Sequence, residues 1–282
     1  MSVVVHEQGE LAGVGGLRLF TRSWLPDREP RGAIVLAHGA GEHCGRYEHV
    51  AARLAAEGFG VHALDHRGHG RSEGRRAYVD RLANTVADID QLVSIARERH
   101  PGQPLFLLGH SMGGCLAIAY ALEHQQRLDG LLLSAPLAAL ETASPVTRAL
   151  SKLLSAVTPT LGLFDVDPER VSRDPDVVRA YVEDPLVHHG KLPARTVGEL
   201  AAVVEGFPAR VPELRLPLLV MHGTGDKIVP VAGSLMVHDG AGSDDKQLEL
   251  YDGLYHEILN EPEQQRVMDD VVAWLQARLP AR

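Results

Sequence analysis

Ser111 stands at the centre of Gly109-His-Ser-Met-Gly113, a spacing that can lift a serine hydroxyl above a strand-to-helix turn and make it a nucleophile. The pattern acquires meaning only from its flanks. The apolar Leu105-Phe-Leu-Leu108 predicts a strand that ends directly before it, and Cys115-Leu-Ala-Ile-Ala-Tyr120 predicts a helix that starts directly after. A hydroxyl also needs a base, and the base needs an acid that fixes its tautomer and stabilises the imidazolium. Among fifteen histidines, His222, His238 and His256 follow both the serine and the second group of strand-like segments. His222 falls inside an apolar run and His238 inside a helical stretch, whereas His256 sits in Gly253-Leu-Tyr-His-Glu257 just past the last strand. Asp226, in His222-Gly-Thr-Gly-Asp226, follows a strand end through a glycine turn and is the expected acid. Asp252 is its rival, but too few residues separate it from His256 on one loop. The tetrahedral intermediate would need two backbone N–H donors, one from Met112 and one from the glycine-rich loop His38-Gly-Ala-Gly41, where Ala40 is the candidate.

Such a constellation has to be carried by a sheet. Short β-like runs bounded by glycine recur at 33–38, 59–64, 105–109 and 130–134, and between them lie amphipathic stretches. The longest, residues 81–99, places Leu82, Val86, Ile89, Leu92, Val93 and Ala96 on one helical face. Alternating strand and helix implies an α/β fold with a mostly parallel central sheet. After Pro136 the rhythm breaks, and it resumes with strands at 217–222 and 247–251 and a final helix opened by Pro262, with Val267, Val271, Trp274 and Leu275 on one face. The expected organisation is a core formed by residues 1–135 and 211–282, with a helical cap inserted at 136–210. Within the cap, Ser144-Pro145 predicts a helix start, and Val146, Leu150, Leu153, Leu154, Val157 and Leu161 would share an apolar face that lines a tunnel or meets a lipid surface.

Composition narrows the function. The formal net charge is -9 and lysine and arginine form no long run, which argues against a nucleic-acid partner. The one dense basic stretch, Arg67, Arg71, Arg75 and Arg76, reads as a solvated loop. No signal peptide and no apolar run of about 18 residues is present, so a cytoplasmic location is expected, with any membrane contact peripheral and made by apolar burial in the cap. Cys44 and Cys115 are too few for a disulfide framework and lack metal-binding spacing.

The sequence resembles the monoacylglycerol lipases, in the lysophospholipase-like branch of the α/β-hydrolases. The match runs over nearly the whole chain from about Arg31. It is carried by His38-Gly-Ala-Gly-Glu-His-Cys-Gly-Arg-Tyr47, Asp65-His-Arg-Gly-His-Gly70, Gly109-His-Ser-Met-Gly-Gly114, Asp184-Pro-Leu186 and Gly253-Leu-Tyr-His256. The resemblance implies the α/β-hydrolase fold with a lid, and hydrolysis of a monoacylglycerol or related single-chain lipid ester without cofactor or metal. It also implies that Glu42, Arg46, His110 and Tyr181 line the glycerol end of the site. The residues after His256 depart from the mammalian form of the motif.

Other readings fare worse. Asp65-His66-Arg67-Gly68-His69 prompts a metallohydrolase but lacks the H-E-x-x-H spacing of zinc peptidases. A non-catalytic binding member of the fold would normally have lost a triad residue, and all three are present. Ser111 excludes the dehalogenases, which use aspartate there. A lysophospholipase or general carboxylesterase of the same fold is the nearest competitor, because only cap shape separates it from a lipase.

Overall fold

A computed structural model describes residues 4–140 and 153–280. Its strands are β1 (Val4–Ala12), β2 (Arg18–Pro26), β3 (Gly32–Ala37), β4 (Phe59–Leu64), β5 (Leu105–His110), β6 (Gly130–Ser134), β7 (Gly162–Phe164), β8 (Leu192–Pro193), β9 (Leu218–Gly223) and β10 (Lys246–Tyr251). Eight of them form one sheet in the order β1-β2-β4-β3-β5-β6-β9-β10. The run from β4 to β10 is parallel, and β2 joins β1 and β4 antiparallel.

Every residue of β3, β4, β5, β6 and β9 is buried. This follows from their composition: a parallel strand covered on both faces must be apolar at every position rather than at every second one. Alternate side chains then serve two separate cores. Leu105, Leu107, Leu131, Leu133, Leu218 and Val220 face one. Phe106, Leu108, Leu132, Leu219 and Met221 face the other. Helices α2 (Leu82–Arg99) and α3 (Met112–His124) cover the first face. Helices α1 (Glu48–Ala56) and α7 (Gln264–Gln276) cover the second.

Between β6 and β9 the chain leaves the sheet. The described part of this excursion has helical residues 153–157, the β7–β8 pair, α4 (Pro175–Glu183) and α5 (Ala194–Arg210), with α6 (Val231–Gly240) following β9. The β7–β8 pair departs from the all-helical expectation; three and two residues are too short to leave a periodic signal. Helix α5 returns to the core, where Leu200, Val204 and Phe207 join the first face. It is clamped there by polar contacts. The Thr196 hydroxyl donates to the Ala77 carbonyl and accepts the Val79 N–H, and Glu199 caps α2 by accepting the Leu82 N–H at 3.0 Å.

Ser144, Pro145, Val146 and Leu150 lie outside the described residues. Of the remaining cap positions, Leu153, Val157 and Leu161 are exposed and Leu154 is half-buried. The N-terminal hairpin was not expected: β1 is an edge strand, exposed over most of its length, and His6-Glu-Gln-Gly-Glu10 carries no apolar alternation. No helix among the described residues is long and apolar enough to cross a membrane.

Candidate active site

The parallel strands end at one edge, and the candidate residues project from it. Ser111 follows β5 and is the N-cap of α3, held at φ 54° and ψ -117°, a backbone region that L-residues rarely occupy. Two glycines permit this turn. A Cβ at Gly109 would overlap the carbonyl of Gly113, and one at Gly113 would overlap the Ala37 carbonyl at the end of β3. The strain sets the hydroxyl above the sheet, at the start of a helix whose first N–H groups are free to face a ligand.

From β9, Asp226 enters through the turn after Gly223, and from the loop after β10 comes His256. The His256 Nε2 lies 2.9 Å from the Ser111 Oγ, and its Nδ1 lies 2.7 Å from the Asp226 Oδ2. The Asp226 side chain has no exposed surface. Its Oδ1 accepts the N–H groups of Ile228 (2.7 Å) and Val229 (3.0 Å). Burial alone would raise its pKa, but the imidazoles of His256 and His222 and these N–H groups hold the carboxyl far below the usual range. Asp226 is therefore a fixed anion, suited to orient His256 and to balance an imidazolium. Asp252 lies elsewhere: it accepts a hydrogen bond from the Thr224 hydroxyl at the surface.

Ala40 and Met112 both line the cavity beside Ser111. The loop carrying Ala40 is braced from several directions. The Gly39 N–H donates to Glu42 Oε1 at 2.6 Å, and His38 Nδ1 lies 2.8 Å from the Gly39 carbonyl oxygen. His188, from the cap, donates its N–H to the Gly41 carbonyl, and His43 Nε2 meets the Asp184 carboxylate at 2.8 Å. Asp184 also accepts the Leu186 N–H, so the Asp184-Pro-Leu186 segment is a joint between cap and loop.

The second stretch that carries the resemblance, around Asp65, is a brace as well. Asp65 accepts the N–H of Cys44 through Oδ1 and of Arg71 through Oδ2. Its neighbours His66 and His69 pack against His38 in a buried group of rings. Cys44 is fully buried, and burial followed by the Asp65 charge pushes its thiol up, away from the reactive thiolate.

Glu42, His110 and Tyr181 line the cavity; Arg46 does not. Arg46 stands behind the wall with a side chain 9% exposed, where it donates to Glu42 Oε2 at 2.8 Å and to both oxygens of Glu257 at 2.6 and 2.8 Å. Its guanidinium also lies 4.7 Å from the centre of the Tyr181 ring. Arg46 thus reaches the cavity only through the groups it holds. Tyr47 completes the network by donating to Glu42 Oε1 at 2.6 Å. Glu257 lines the cavity and was not singled out from the sequence, because its partner is 211 residues away. Burial would raise Glu257, but the Arg46 charge and hydrogen bonds outweigh it and hold the carboxyl down at about 2. His110 donates from Nδ1 toward the Ser134 carbonyl at 3.0 Å, and its ring is 4.7 Å from that of His256. Burial and the neighbouring His256 lower its pKa to about 4, so it is neutral at pH 7.

The cavity above Ser111 has a volume of about 400 Å3, within the range of small-molecule sites. One end holds Glu42, His110, Tyr181 and Glu257. Leu137, Phe164, Val171, Leu192 and Leu200 supply apolar wall, and Asp165, Asp167, Arg170 and Lys227 line it as well. None of Leu153, Leu154, Val157 and Leu161 lines it. Such an arrangement can bind an apolar chain with a polar head and attack a carbonyl between them.

Comparison with known proteins gives a concordant result. The family model described as "Serine aminopeptidase, S33" (Hydrolase_4) matches residues 28–263. The chain is 48% identical over 275 residues to a monoacylglycerol lipase of Mycolicibacterium smegmatis, covering 97% of this chain and 98% of that one. It is 36% identical to the human monoglyceride lipase, covering 98% and 93%. The crystal structure of a monoacylglycerol lipase from Paleococcus ferrophilus superposes with a TM-score of 0.83 at 33% identity, covering 92% of this chain and 99% of that one.

Proposed function

The chain belongs to the monoacylglycerol lipase family of serine hydrolases, and from that premise we propose that it cleaves the ester of monoacylglycerols to fatty acid and glycerol. The observation that carries this reading is the hydrogen-bonded series Ser111–His256–Asp226 opening into a cavity that combines apolar side chains such as Leu137, Val171, Leu192 and Leu200 with the polar group Glu42, His110, Tyr181 and Glu257.

In this reading His256 Nε2 takes the proton of Ser111 as Oγ attacks the ester carbonyl carbon. The N–H groups of Ala40 and Met112 hold the resulting oxyanion, a contribution of about 10²–10³ in rate per donor. His256 then passes its proton to the departing glycerol oxygen, which leaves an acyl-enzyme on Ser111. Water repeats the cycle: His256 removes its proton, the hydroxide oxygen joins the acyl carbon, and Oγ leaves with the proton returned. Glu42, His110, Tyr181 and Glu257 face the glycerol hydroxyls, and Arg46 positions the two carboxylates. Residues 1–135 and 211–282 act as the core and 136–210 as the lid. The enzyme works in the cytoplasm, with transient lipid contact through the cap, where Leu153, Val157 and Phe164 are exposed.

A panel of kcat/KM values separates this from its neighbours. It comprises monoacyl-, diacyl- and triacylglycerols, a lysophospholipid, a soluble short-chain ester and an aminoacyl anilide, with Ser111→Ala as blank. The monoacylglycerol is expected to lead. If the lysophospholipid, soluble ester or anilide leads instead, the substrate reading falls while the triad stands.

A further inference from the structure

Asp226 serves two imidazoles with a single oxygen. Its Oδ2 lies 2.7 Å from His256 Nδ1 and 3.0 Å from His222 Nε2, while Oδ1 is filled by the two backbone N–H groups. A carboxylate offers about four acceptor positions, so this one is saturated. His222 is the penultimate residue of β9 and has no solvent exposure. Its Nε2 faces two acceptors, the Asp226 carboxylate and the Val229 carbonyl at 3.3 Å, and so must carry the ring proton. Its Nδ1, 2.7 Å from the hydroxyl of Ser234 on α6, then accepts that O–H.

We infer that His222 is a positioning residue of the triad: its Nε2–H locks the Asp226 carboxylate toward His256 and takes up part of the carboxylate's hydrogen-bonding capacity, which sets the basicity of His256. The inference rests on Asp226 and His256 being the acid and base. Two physical effects underlie it. The Ile228 and Val229 N–H groups already restrain Oδ1, and the second imidazole adds a restraint on Oδ2, the oxygen that faces His256. Each donor to the carboxylate also weakens it as an acceptor for the others, and the Ser234 O–H strengthens His222 as a donor through the same chain. Among the described residues the charged and titratable groups around the pair are few, and Lys227, next to Asp226 in sequence, lines the same cavity with its Nζ toward the Tyr255 hydroxyl. His256 faces Ser111, Asp226 and the His110 ring, with Glu257 next in sequence; His222 faces Asp226 and the Ser234 hydroxyl.

The test is the pH dependence of kcat/KM on a soluble short-chain ester for the wild type, His222→Leu, His222→Gln and Ser234→Ala, with His222→Leu also made in the Asp226→Asn background. The leucine variant is expected to move the acid limb up by about half a pH unit, because an undivided carboxylate makes His256 more basic. Its kcat should fall about tenfold, the worth of one good hydrogen bond, with KM nearly unchanged. Glutamine, whose amide N–H reaches toward the same oxygen, should restore both. Ser234→Ala should shift the limb the same way by less, and His222→Leu should shift nothing once Asp226 is asparagine. A uniform loss at all pH values, a glutamine variant no better than leucine, or an undiminished effect in the asparagine background overturns the inference. Should the leucine variant fail to fold, an unmoved limb in Ser234→Ala overturns it equally. Failure of the underlying triad reading looks different: Asp226→Asn alone would then keep the wild-type rate.

Discussion

The imidazole of His38 donates its Nδ1–H to the carbonyl oxygen of Gly39 at 2.8 Å, and that carbonyl belongs to the same peptide as the Ala40 N–H. The tautomer follows from the other side of the ring, where Nε2 accepts the His66 N–H at 2.9 Å. With Glu42 holding the preceding N–H, the peptide that carries the proposed oxyanion donor, the Ala40 N–H, is tied on both sides. Replacing His38 by leucine should therefore loosen a donor whose value lies in its placement. We expect kcat to fall between tenfold and about 10³, the cost of losing one oxyanion donor, with KM changed much less. Steady-state kinetics on a soluble ester measure this, and a change confined to KM contradicts it.

The polar end of the cavity should discriminate by charge. One guanidinium, Arg46, is shared by two buried carboxylates, Glu42 and Glu257, so these three groups together carry one negative charge where the proposed binding mode puts the alcohol, while the cavity's cations Arg170 and Lys227 are engaged by Asp167 and Tyr255. A neutral glycerol tolerates this and a phosphate does not. Lysophosphatidate should accordingly be cleaved at least about 100-fold less efficiently than the monoacylglycerol of the same acyl chain, and Glu257→Gln should narrow that ratio about tenfold. A ratio unmoved by Glu257→Gln assigns the discrimination elsewhere.

Much of this site was legible in the sequence because its parts are local. The Gly109-to-Gly113 turn, its strand and its helix are contiguous, and the order of Ser111, Asp226 and His256 is imposed by strands whose apolar runs are plain. What could not be read was anything that depends on distance across the fold. Glu257 owes its place to Arg46, far away in sequence, and Arg46 sits behind Glu42 and Glu257, a relation that no local motif encodes. His222 lies within a strand, which argues against it as the base and is also what places it against Asp226. The β1–β2 hairpin escaped for another reason: an exposed edge strand needs no apolar face, and its polar sequence resembles a loop.

Stability should decline on the acid side earlier than carboxylates alone would dictate. Burial above all lowers His38 and His62 to about 3 and His69 and His110 to about 4, from an ordinary 6.5. Between those values and 6.5 the unfolded chain binds more protons than the folded one, so stability is complete above pH 6.5 and is lost as the pH falls toward 4. The Tm should drop steadily from pH 7 to 5. His62 is remote from the active site, bonded to Ser23 and His100, and His62→Gln should make that slope shallower. A Tm that stays level across this interval contradicts the assignment of these rings as buried and neutral.

The exposed cap residues provide a test of interfacial contact. Leu153 is 57% exposed and Val157 68%, neither touches the cavity, and the acidic chain is repelled by anionic membranes. Substituting both by serine should reduce the rate on emulsified or vesicle-bound monoacylglycerol severalfold while leaving a soluble ester unaffected. Equal losses on both substrates would refute an interfacial role.

The most direct test of the central claim is the mass of the intact protein after treatment with an alkyl fluorophosphonate, followed by peptide mapping. Ser111 as the activated nucleophile predicts one stoichiometric adduct, located on Ser111, formed in step with loss of monoacylglycerol hydrolysis, and absent from Ser111→Ala and strongly slowed in His256→Ala. An adduct on another residue, or a Ser111→Ala protein that still hydrolyses monoacylglycerol at the wild-type rate, would contradict it.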